Sequence, residues 1–170
     1  MSREKQWRTK DDEKKTWPEG PWTAEPDKVQ WLDDTTDLDC LAVRNRGFWC
    51  GYVGVQHGHP AFGDNYQRHE GAIEVHGCLT FSGACQKTKD PATGVCHVPL
   101  PGRGEVHWFG FDCAHSGDLD PSHIKCNEEF HARHPEFGPY RDLAVYRTLD
   151  YVRSQCAKLA RQLASMKVTS

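Results

Sequence analysis

Two apolar runs, residues 40–43 and 48–55, flank the polar stretch Arg44-Asn-Arg-Gly47. β-branched and aromatic residues on either side of a short break ending in glycine predict a β-hairpin over 38–55. Residues 72–81 alternate, with Ile73, Val75, Leu79 and Phe81 on one parity and Glu74, His76, Cys78 and Thr80 on the other. That is the side-chain period of a strand. Residues 106–111 read as a further strand, with Asp112 to Asp118 at its exit. After Gly138-Pro-Tyr140 the period changes. Val145, Leu149, Val152, Cys156, Leu159 and Leu163 lie 4, 3, 4, 3 and 4 residues apart, which predicts an amphipathic helix over about 140–166 with Pro139 in its first turn. The pattern therefore predicts an α+β fold, an antiparallel sheet packed against a long C-terminal helix. Sheet cover is the commoner use of such a stripe in a domain of this size, and a homodimer through the helix is the alternative.

The length of 170 residues suits one domain, assigned to 21–170. Residues 1–20 carry mixed charge and few apolar groups, which predicts a flexible N-terminal arm. Trp22 and Trp31 read as packing anchors beyond it. Residues 84–105 hold three glycines and three prolines around Cys96-His97 and predict a long loop of the kind that often carries function. The 21 basic and 24 acidic residues leave a net charge of −3, which gives no electrostatic reason to expect duplex nucleic acid as a partner. No apolar run approaches the ~20 residues of a membrane-spanning helix, and the N-terminus has no apolar core of an export signal. The expectation is a protein kept in the cytoplasm. Most of the eight cysteines then read as small buried hydrophobes.

Chemistry concentrates in two stretches, Glu74-Val-His-Gly-Cys-Leu-Thr-Phe-Ser-Gly83 and Val106-His-Trp-Phe-Gly-Phe-Asp-Cys-Ala-His-Ser-Gly-Asp118. Imidazoles serve as acid, base or ligand near neutral pH, and carboxylates orient them or bind cations. His76, Asp112 and His115 are therefore the candidate catalytic group. With Cys113 they form a candidate set for zinc or another divalent metal, and Asp118 can take a carboxylate place in it. Cys113 beside a histidine is also a candidate nucleophile. Glu74, Thr80, Asp118 and His59, the last preceding Pro60 in a glycine-containing loop, are candidate ligand contacts. The bland alternative has Asp112 capping a turn and the histidines satisfying buried backbone groups. His123, Cys126, His131 and His134 resemble a small zinc clip in outline but lack paired Cys-x-x-Cys spacing. No phosphate-binding Gly-x4-Gly-Lys-Ser/Thr, Gly-x-Ser-x-Gly or His-Glu-x-x-His motif occurs.

Several stretches in order, Glu25-Pro-Asp-Lys-Val-Gln-Trp31, Cys50-Gly-Tyr-Val-Gly-Val55, Gly58-His-Pro60, Val75-His-Gly77, Leu79-Thr-Phe-Ser-Gly83 and Trp108-Phe-Gly-Phe-Asp-Cys-Ala-His115 with Gly117-Asp118, resemble a family of small uncharacterised bacteriophage and prophage proteins. Cys78 departs from that pattern, which has a glycine there, and residues 123–137 fall outside it. The resemblance implies a phage accessory protein acting in the bacterial host cell, against host defence in one version. Such a protein binds a host protein or a nucleotide-like ligand through the polar pocket. The alternative is a metal-assisted hydrolase of a phosphorylated or nucleotide-like substrate.

Overall fold

The computed structural model describes residues 4–86, 90–140 and 143–166. Residues 1–3 of the predicted arm, 87–89 of the predicted loop, 141–142 of the predicted helix and the last residues, 167–170, lie outside the described residues. Six strands form one antiparallel sheet in the order β1-β2-β3-β4-β6-β5. They are β1 (Lys5–Trp7), β2 (Lys28–Leu32), β3 (Asp39–Asn45), β4 (Phe48–Gln56), β5 (Phe81–Ala84) and β6 (Val106–Asp112). The longer helices are α2 (Ile124–Arg133) and α3 (Leu149–Ala164), and a single turn, α1, spans Asp11–Lys14. The α+β architecture is the one the periodicity predicts.

The predicted hairpin is β3–β4. Asn45 pairs with Phe48, which leaves Arg46 and Gly47 as a two-residue turn with Arg46 at φ 50°. Both faces of the central strands are covered. Trp49, Val53, Phe109 and Phe111 pack under α3, while Leu41, Tyr52, Val106 and Trp108 pack with Val95 on the other face. Burial on two faces is why residues 48–55 read as a nearly continuous apolar run. A Cβ on Gly51 would run into the Phe111 ring and the Cys156 sulfur, so its hydrogen lets α3 lie close to the sheet.

On α3, Leu149, Val152, Cys156, Leu159 and Leu163 are buried in the core at the predicted spacing. Each large aliphatic among them stabilises the fold by roughly 1.5–3 kcal/mol. The stripe packs on the chain's own sheet, which is the sheet-cover use of it. The helix starts later than predicted, because Thr148 Oγ1 accepts the Tyr151 N–H at 3.2 Å and Glu25 Oε1 accepts the Leu149 N–H at 2.8 Å. Val145 belongs instead to an extended segment bonded to Gly117 and Leu119, and it is half exposed. Residues 124–133, which carry no strong apolar period, form the mostly exposed α2.

The predicted strand over 72–81 is a correction, since pairing begins only at Phe81. Upstream of it the backbone bonds to side chains of α3. Gln162 accepts from Glu74 N and donates to Glu74 O, both at 2.8 Å, and Gln155 accepts from His76 N at 3.0 Å. Gly77 (φ 64°) and Cys78 (φ 86°) then turn the chain through left-handed conformations. Ile73 and Leu79 consequently join the core under α3, while Phe81 meets Tyr52 on the opposite face. The left-handed region is strained for cysteine and free for glycine. Cys78→Gly should therefore stabilise the protein by about 1 kcal/mol, read as a higher urea midpoint. An unchanged or lower midpoint would show that the turn carries no strain.

The expected mobile arm is likewise corrected. Lys5–Trp7 pairs with β2, and the following residues wrap Asp27, whose carboxylate accepts the Thr9 and Lys10 N–H groups at 2.9 Å each. Lys14 Nζ and Arg44 Nε also reach Asp27, at 2.7 and 3.1 Å, with all three side chains buried. On the other face, Lys28 Nζ donates to the carbonyls of Pro91, Thr93 and Gly94. Gln30 pairs both ways with the Val98 backbone. Glu25, Asp27, Lys28 and Gln30 of the first motif thus hold neighbouring segments in place.

Candidate functional site

The predicted residues His76 and His115 meet at the N-terminal end of α3, and Asp118 is the hub between them. The glycine turn at 77 brings His76 up from the 72–78 segment. The exit of β6 turns at Gly117 (φ 92°), and Asp118 follows with Oδ2 near a ring nitrogen of each histidine. Asp118 Oδ2 accepts from His76 Nε2 at 2.7 Å and from the His115 backbone N–H at 3.1 Å, while Oδ1 accepts from Arg147 Nε at 2.8 Å. The Asp118 side chain is 2% exposed. Burial works to raise its carboxyl, but the hydrogen bonds from Arg147 and His76 outweigh that and hold it below the ordinary carboxylate range. His76 Nδ1 bonds the Tyr151 hydroxyl at 2.8 Å, so both of its ring nitrogens are engaged.

His115 differs. Its ring centroid is 5.4 Å from that of His76, and its ring stands over Gly77, where any Cβ would strike it. Its Nδ1 is buried and has no hydrogen-bond partner among the described residues, lying 3.6 Å from Asp118 Oδ2 and 3.8 Å from Asp112 Oδ1. Asp112 Oδ1 also accepts the Ala114 N–H at 3.1 Å, which is the turn-capping role open to it from sequence. His76, His115 and Asp118 offer ligand atoms that all lie within 4.8 Å of one another.

The other candidates do not join this centre. Cys113 sits in the core with its N–H bonded to Trp49 O, and burial pushes its thiol well up, which argues against both the nucleophile and the metal-ligand roles. Glu74 points to solvent near Lys158 and Gln162, and Thr80 is exposed with its N–H bonded to Gly110 O. His59 bonds the Ala61 N–H and Leu163 O in the last turn of α3, about 18 Å along the axis from Tyr151. The outlined zinc clip is not assembled. His123 faces Asp120, His131 faces Gly138 O and His134 faces Glu136, and among the described residues these four make no group of converging ligands.

Arg147 and Tyr151 are participants that the sequence reading missed. The signal was a second stripe at helical spacing beside the apolar one, Tyr151, Gln155, Lys158 and Gln162 on α3, continued by Arg147 just before its cap. Arg147 also stacks over Tyr151, with 4.9 Å from guanidinium to ring centroid. Among the described residues no helix is long and apolar enough to cross a membrane. No protein-family model, curated protein or solved structure matches this chain.

Proposed function

We propose that the protein binds a divalent metal, zinc fitting best, at His76, His115 and Asp118, and works as a metal-assisted hydrolase of a phosphorylated or nucleotide-like substrate. The observation that carries this is His115 Nδ1, buried with no hydrogen-bond partner among the described residues and standing 3.6 and 3.8 Å from two carboxylate oxygens. Those gaps are too long for hydrogen bonds and near the ~3.4 Å that separates two ligands of one tetrahedral ion. His76, His115 and Asp118 would hold the ion, and it would supply a Lewis acid and an activated water. Asp112, whose Oδ1 is 3.8 Å from His115 Nδ1 but which stands outside the group of converging ligand atoms, would serve beside it as a base for metal-bound water, and Arg147 supplies positive charge for an anionic substrate.

The second reading is a metal-free pocket that binds a host protein or nucleotide-like ligand. It is favoured by the complete hydrogen bonding of His76. The biological setting, a phage accessory protein acting in a bacterial host against its defence, rests on the motif resemblance in either case.

The test is elemental analysis of untagged protein purified without reductant, alongside His115→Ala, with circular dichroism to confirm that both fold. The expected result is close to one equivalent of zinc in the parent and none in the variant, with any phosphoesterase activity lost in parallel. Folded parent protein that takes up no divalent metal would overturn the hydrolase reading and leave the ligand pocket.

A further inference from the structure

A second set of ligand-type atoms, from Cys85, Cys96 and His97, lies on the opposite face of the sheet. Cys85, at the exit of β5, is joined to Cys96 by a disulfide, and beside it the Gln86 N–H donates to Val95 O at 3.0 Å. His97 Nδ1 stands 3.6 Å from Cys85 Sγ. Ligand atoms of Cys85, Cys96 and His97 all lie within 4.8 Å of one another. His97 is almost fully buried, and its Nε2 has no hydrogen-bond partner among the described residues. The nearest acidic group is Asp39, whose Oδ1 is 4.0 Å from that nitrogen and whose Oδ2 is held by Arg103 at 3.2 Å. A cavity of about 540 Å³ opens beside the cluster, lined by Cys85, Cys96, His97, Arg103 and Glu105 among others.

We propose that, once the disulfide is reduced, Cys85, Cys96 and His97 form a thiolate site for zinc or a similar soft divalent ion, with the fourth coordination position open to this cavity. The 3.6 Å between Cys85 Sγ and His97 Nδ1 equals the separation of sulfur and nitrogen ligands on one tetrahedral zinc, about 3.6 Å from metal–ligand lengths of ~2.3 and ~2.05 Å. Coordination through Nδ1 makes Nε2 the protonated nitrogen and aims its N–H at Asp39. Metal-bound histidines nearly always donate their second N–H to such a carboxylate. The orphaned nitrogen, the fixed carboxylate and the adjacent cavity thus have one common explanation.

The site is switched by redox state. A dithiol reductant gives two electrons and two protons to the Cys85–Cys96 bond, becomes a cyclic disulfide and leaves two thiols. The ion then binds both sulfurs and His97 Nδ1 with release of two protons. Oxidation by a disulfide reverses the exchange and expels the metal. The His76, His115 and Asp118 centre contains no sulfur, so the two sites are separable by redox state and by spectrum.

Cobalt(II) is the probe. The protein is titrated after dithiol treatment and anaerobic gel filtration, and in parallel in its disulfide form. Reduced protein should bind one more equivalent than oxidised protein and show the near-ultraviolet charge-transfer absorption of cobalt–thiolate bonds. Cys96→Ser should abolish that absorption and the redox-dependent equivalent while leaving uptake at His115 intact. Asp39→Asn should weaken the thiolate site about 10- to 100-fold. Equal uptake by reduced and oxidised parent protein, or a thiolate absorption that survives in folded Cys96→Ser, would overturn the proposal.

Discussion

Arg44→Met is expected to lower unfolding free energy by about 3–5 kcal/mol, as removal of one partner from a buried ionic network does. The Arg44 side chain has no exposed surface and uses its whole fork. Nε donates to Asp27, one terminal nitrogen to Gly47 O and the Tyr146 hydroxyl, and the other to Glu25, while the guanidinium lies 4.3 Å from the Trp49 ring centroid. Methionine fills much of the volume and supplies none of the donors. Glu25 also receives Trp49 Nε1 and the first N–H of α3, so the damage should spread to the start of that helix. Against a total stability of ~5–15 kcal/mol, the variant should lose a large part of its margin. Urea unfolding followed by tryptophan fluorescence measures it. A loss below about 1 kcal/mol would mean that the cluster does not hold β2, β3 and α3 together in solution.

Asp118→Ala should cost about 2–4 kcal/mol and remove metal binding together. It strips the acceptor from His76, Arg147 and the His115 backbone in a buried setting. Asp118→Asn separates shape from charge. The folded-state carboxyl titrates below its unfolded value of ~3.9, so its stabilisation is present above that value. It is lost as pH falls through the lower, folded-state value. The parent should therefore lose stability on acidification below about pH 4 more steeply than the asparagine variant, and equal slopes in acid titrations of stability would refute the charge role of Asp118. Metal content of the alanine variant provides the functional arm. Retained zinc at one equivalent in oxidised, folded Asp118→Ala would place the ion elsewhere.

The buried charges mark the limit of sequence reading in this chain. Lys14, Asp27, Lys28 and Arg44 look like solvent-facing residues when taken singly, and Lys14 lies in a segment whose composition predicts a free arm. Each is buried because a partner distant in sequence satisfies it, as Lys28 does with carbonyls more than sixty residues away. The Cys85–Cys96 pair was hidden for a similar reason. Cysteine spacing in a loop does not report which sulfurs meet, although the adjacent His97 was a usable signal.

Local periodicity alone determined the β3–β4 hairpin, β6 and the apolar face of α3, because side-chain direction in a strand or helix follows from residue count. It also placed His76, His115 and Asp118 in the two stretches richest in chemistry. Tertiary structure decided what those stretches became. Residues 72–80 alternate like a strand, yet Gln155 and Gln162 satisfy their backbone and two left-handed residues end the extended run. It also chose the centre's members, drawing in Arg147 and Tyr151 and sending Cys113 into the core. Those choices depend on which distant groups satisfy one another once water is excluded, and a buried polar group's partner is set by packing rather than by spacing along the chain.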